Sequence, residues 1–108
     1  MPDLKDNRIT LFKGLFQQTL APFLEHHPIP SQLVVNIDAD LYSSTLLVLT
    51  RCNDILRPGT VIVFDEFSSI LHEFRALDDY CSAYMRSYEV LGAIMSPSSY
   101  FQIAIRML

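Results

Sequence analysis

The chain has 108 residues, half of them hydrophobic, with a net charge of −4 and no basic run. That supports one domain with a buried core, and the negative balance excludes a broad nucleic-acid-binding surface. No apolar run reaches membrane-spanning length, and the opening Met1-Pro-Asp-Leu-Lys-Asp-Asn is too polar for a secretory signal, so a cytoplasmic protein that does not contact membrane is expected.

Residues 1–7 read as a loose start and 8–108 as a single α/β domain. Arg8 to Phe12 predicts a short strand. Leu15 to His26 has apolar residues at near-helical spacing, with Pro22 expected to kink or delay the helix. The two histidines and two prolines of 26–30 read as an exposed loop. Leu33 to Ile37 is apolar and β-branched, the mark of a buried strand. Ser43 and Ser44 are good N-caps for a helix over Ser44 to Leu56, which Arg57-Pro58-Gly59 ends. Thr60 to Phe64 is the next strand, His72 to Arg86 the next helix, and Tyr88 to Met95 a further strand. A turn at 96–99 then leads to an alternating run, Tyr100 to Leu108. The short link predicts that the last two runs pair antiparallel. Five strands and three helices in alternation imply a mainly parallel sheet with an antiparallel C-terminal strand and helices on its faces. The two cysteines, Cys52 and Cys81, lack zinc-ligand spacing and read as free, buried thiols of a reducing compartment.

The chemistry concentrates where strands end. Asp38 and Asp40 follow the Leu33–Ile37 strand, and Asp65 and Glu66 follow Thr60–Phe64. In open α/β sheets ligands bind at the carboxyl ends of strands. Neighbouring strands lie about 5 Å apart, so two such tips can share one hard cation, and oxygen ligands favour Mg²⁺, Mn²⁺ or Ca²⁺. Asp38, Asp65 and Glu66 are the candidate ligands and Asp40 the candidate base. His72 is a candidate for the substrate side, or a cap for its own helix. Asp78 and Asp79 read as a solvated helix face.

These segments, IDADLYSST, RPGTVIVFDEF and HEFRALDDY, with KGLFQQTL upstream, resemble the C-terminal half of the macrocin O-methyltransferase (TylF-type) family. The resemblance implies part of a class I methyltransferase (Rossmann-like) fold, S-adenosylmethionine as cofactor, a divalent metal such as Mg²⁺, and a small-molecule acceptor with a hydroxyl, such as a sugar. It implies Asp38, Asp65 and Glu66 as metal ligands, Asp40 as general base, and Tyr42 and Ser43 lining the same tip on the substrate side. Glu66 stands where the family more often has Asp. The family's glycine-rich cofactor loop has no counterpart here: the three glycines are Gly14, Gly59 and Gly92, with no G-x-G. The sheet is therefore expected to be incomplete, the chain to be a fragment or short form, and the edge near Arg8–Phe12 to pair with a second copy as a homo-oligomer.

Two other functions fit parts of the pattern. A haloacid-dehalogenase-like phosphatase has D-x-D-x-T at a strand end, but Tyr42 occupies the Thr position. A catalytically inactive, self-associating α/β domain fits the missing cofactor loop. Taken by themselves, Asp38 and Asp40 also fit a solvated strand end that caps the following helix.

Overall fold

The structure, a computed structural model, describes residues 6–29, 32–38, 41–66, 70–95 and 101–108. Its elements in chain order are α1 (Phe16–His26), β1 (Val34–Ile37), α2 (Tyr42–Arg51), β2 (Val61–Glu66), α3 (Ile70–Tyr84), β3 (Tyr88–Met95) and β4 (Phe101–Met107). The sheet order is β1-β2-β4-β3. β1 and β2 are parallel, and β4 runs antiparallel to both β2 and β3. Three strands thus run one way and β4 the other, as expected. Because β4 sits between β2 and β3, however, two of the three pairings are antiparallel and the sheet is mixed.

The described sheet has four strands, not five. Arg8 to Phe12 forms none. Asp6 turns the chain locally instead: its Oδ1 accepts from the Arg8 backbone N–H at 2.9 Å and from Arg8 Nε at 3.0 Å, and its carbonyl accepts from Ile9 N–H at 3.1 Å. A side chain that satisfies its own backbone competes with strand pairing. The Arg8 guanidinium also holds the Asp6 carboxyl below its usual pKa. Phe12 then meets Phe23 and His27 edge-on, with ring centroids 5.1 and 5.5 Å away, against α1 rather than the sheet. α1 itself runs through Pro22 and buries no residue. His26 and His27 finish it: their Nδ1 atoms lie 2.9 and 3.0 Å from the Pro22 and Phe23 carbonyls, so each Nδ1 carries the donated proton.

Strand alternation places the core. Val35 and Ile37, Ile62 and Phe64, and Ile103, Ile105 and Met107 share one face. They pack with Leu49, Cys52 and Leu56 of α2 and its following turn, and with Leu77 and Tyr80 of α3, while Leu20 and Leu24 of α1 lean on the cluster. The opposite face carries Val34, Asn36, Val61, Val63, Gln102, Ala104 and Arg106, none of them buried. Helices were expected on both faces; among the described residues the core lies on one. Arg106 crosses that open face to pair with Glu89.

Glycine is required where α2 hands over to β2. Gly59 has φ +95°, and its N–H donates to the Met107 carbonyl at 2.7 Å, locking the turn to the end of β4. Met85, by contrast, takes φ +55° without being glycine. It closes α3 in a Schellman turn, in which Arg86 N–H donates to the Cys81 carbonyl at 2.9 Å. The left-handed conformation costs Met85 about 1 kcal/mol, and it delivers Arg86 to the end of α2. No described helix is long and apolar enough to cross a membrane.

Candidate active site

Register builds the site. Ile37 of β1 and Phe64 of β2 are parallel partners. The next residue of each chain is an aspartate, Asp38 and Asp65. Adjacent strands are about 5 Å apart, so the two acids leave the sheet at one level at its carboxyl end. Asp38 is exposed and Asp65 half-buried; the Asp65 backbone also pairs with Gln102 of β4. Glu66, opposite Phe101, is the last residue of β2. Asp40 lies outside the described residues, as do the side chains of Glu66 and His72; His72 falls in the first turn of α3. Among the described residues no group of three His, Cys, Asp or Glu side chains converges as a metal set. The donors that are described, two carboxylates on neighbouring strand ends, suit a hard cation.

α2 begins earlier than its serines predicted. Leu41 is the N-cap, in extended conformation, with no side-chain cap, and its carbonyl accepts Thr45 N–H at 3.0 Å. Ser43 is exposed in the first turn. The first-turn N–H groups therefore have no side-chain acceptor on the N-cap. Thr45 Oγ1 is buried and has no hydrogen-bond partner among the described residues. Thr50, one and a half turns on, bonds back to the Leu46 carbonyl at 2.9 Å.

Tyr42, placed on the substrate side by sequence, has a protein partner. Its hydroxyl donates to Asp79 Oδ2 of α3 at 2.5 Å. That bond, then partial burial and the Asp79 charge, hold the phenol above its usual pKa. Asp79 is thus more than a solvated acid on a helix face; nothing in the local pattern of α3 marked it out.

A second polar cluster lies beyond the other end of α2. Tyr80, fully buried, donates to Asn53 Oδ1 at 2.6 Å. Arg86 Nη1 donates to Asn53 Oδ1 at 3.1 Å and to the Tyr80 hydroxyl at 3.2 Å, and Nη2 donates to the Leu56 carbonyl. Burial raises the Tyr80 phenol's pKa, and the Arg86 charge opposes that rise. In the sequence Arg86 is only the end of a helix, because two of its partners, Asn53 and Leu56, lie some thirty residues away. Cys52 is buried and Cys81 half-buried, both are free, and burial pushes both thiols up.

A methionine-and-ribose cofactor needs a glycine-rich turn between a strand end and a helix. Gly14 precedes α1, Gly59 lies in the turn entering β2, and Gly92 lies inside β3 beside a bulge. None of them follows an acidic tip or opens a helix after a strand, so the described residues do not fit that part of the cofactor.

No curated protein and no solved structure matches the chain. One family model does, macrocin-O-methyltransferase (TylF), over residues 2–101. That match takes in both acidic tips, all three helices and the parallel pair between them, and on it the chain belongs to the macrocin-O-methyltransferase (TylF) family, a family of S-adenosylmethionine-dependent O-methyltransferases.

Proposed function

We propose that this chain supplies the acceptor side of a metal-assisted O-methyl transfer to a small molecule bearing a hydroxyl, such as a sugar. The observation that supports the reading is the Ile37–Phe64 register, the last pair before Asp38 and Asp65 at the sheet's carboxyl end. Asp38, Asp65 and Glu66 would hold a divalent cation. The chemistry such an ion supplies is the orientation of acceptor oxygens and a lowered hydroxyl pKa. Asp40 takes the proton of the acceptor hydroxyl, and Ser43 and His72 frame the acceptor. No cofactor contact is assigned to these residues, because the glycine-rich turn is not among them.

The test is calorimetric titration of the chain with Mg²⁺, with Asp65→Asn and Asp38→Asn alongside. Uptake by the native chain, weakened at least tenfold in each variant, is expected; a native chain that takes up none at millimolar Mg²⁺ sinks the metal assignment. In any preparation that transfers methyl groups, Asp40→Asn should slow turnover by roughly 10²–10⁴-fold.

Self-association belongs to the same proposal. β1 is an edge strand of the described sheet, Val34 on it is 68% exposed, and Ile9, Leu11, Phe12, Leu15 and Phe16 are exposed beside α1. Open edges and apolar surface of this kind invite pairing. Sedimentation at rising concentration should show a dimer or larger species; a constant monomer rules this out. A cytoplasmic setting accords with the two free thiols.

A further inference from the structure

The hydrogen bond between Tyr42 and Asp79 joins elements that share no local sequence. Tyr42 opens α2, two residues after Asp40, and its bond reaches 37 residues along the chain. The next residue of α3, Tyr80, bonds Asn53, just past the far end of α2. Adjacent α3 residues therefore hold α2 at both ends, and Asp79 holds the end into which the β1 tip leads. That end lacks a side-chain cap, and the Leu41 carbonyl bond to Thr45 is an ordinary helical one. The Tyr42 phenol on Asp79 is thus a long-range side-chain hydrogen bond at the start of α2.

We propose that Asp79 is a positioning residue for the acidic site: through Tyr42 it fixes the start of α2, and with it the relation of that helix to the β1 end that carries Asp38. This rests on the reading of the strand tips as a cation site. α3 also follows the second acidic tip in the chain, so one bond references the first tip to the element that continues from the second. A ligand set drawn from two loops keeps its affinity only if the loops hold a fixed relation, and loss of supporting bonds weakens metal affinity roughly tenfold or more.

The test uses the full chain with Tyr42→Phe, Asp79→Ala and Asp79→Asn. The first two remove the bond; the third keeps an acceptor oxygen and should restore it. In metal-free protein, amide hydrogen exchange at residues 41–45 is expected to quicken roughly five- to tenfold in the first two variants, with the amides of β2 and β4 unchanged. Mg²⁺ affinity should fall by a similar factor, while Asp79→Asn stays near the native chain in both measurements. Unchanged exchange at 41–45 overturns the positioning role even if the native chain binds Mg²⁺. Faster exchange with undiminished Mg²⁺ affinity overturns it as a property of the site. If the native chain binds no Mg²⁺, the cation reading fails and the site role with it, and the exchange data then show only a structural tether.

Discussion

Replacing Arg86 with alanine is expected to destabilise the fold by about 3 kcal/mol. The guanidinium serves the Asn53 side chain, the Tyr80 hydroxyl and the Leu56 carbonyl at once. Removing it leaves a fully buried phenol and a carbonyl beyond the end of α2 without their donor, and takes a cation from the negative end of the helix dipole. Unfolding in urea should show a lower midpoint with an unchanged slope, and the melting temperature should fall by roughly 10–20 °C. Tyr80→Phe removes one hydroxyl, which donates to Asn53 and accepts from Arg86, and leaves the guanidinium its other acceptors, so the loss should be about 1 kcal/mol. Equal stabilities of Arg86→Ala and the native chain would mean that the network contributes nothing.

Ile62→Ala should cost more, about 4 kcal/mol. Ile62 is fully buried on the central parallel strand, with Val35 of β1 on one side and Ile105 of β4 on the other. The core lies on one face of the sheet, so few layers are available to close around the cavity. Against a total stability of roughly 5–15 kcal/mol for a domain, this loss brings the chain close to unfolding at room temperature. Urea denaturation followed by circular dichroism measures it; a shift below 1 kcal/mol would show that the site collapses and refills. Val61→Ala, one residue away on the open face, is the control and should cost far less.

What the sequence made legible follows from which forces are local. Period-two alternation at Phe101–Met107 and the short link before it showed an antiparallel pair, because side-chain parity is fixed by the strand itself. The apolar runs before Asp38 and Asp65 read as strands, and they are partners in parallel register, the condition on which a shared cation depends. Arg8 to Phe12 misled because its alternation is real, but Asp6 captures the backbone and Phe12 finds aromatic partners on α1. Ser43 and Ser44 are good caps in isolation, yet α2 starts before them, at Leu41, where the chain leaves β1. The Tyr42–Asp79 and Asn53–Tyr80–Arg86 contacts were invisible because their members lie between six and 37 residues apart and no periodicity links them. The two aspartates stand at the strand ends where the sequence put them, because each directly follows an apolar run; the Tyr42–Asp79 bond between helices left no such local mark.

The order of strands has a bearing on how the molecule is made. β2, which carries Asp65, is flanked on one side by β1 and on the other by β4, more than thirty residues later in the chain. During synthesis one long side of β2 has no partner until 101–107 have emerged, and Gly59 waits equally long for the Met107 carbonyl. Such distant closure slows folding and leaves sticky backbone bare in the nascent polypeptide. The strand that carries Asp65 is thus among the last parts of the molecule to be sealed.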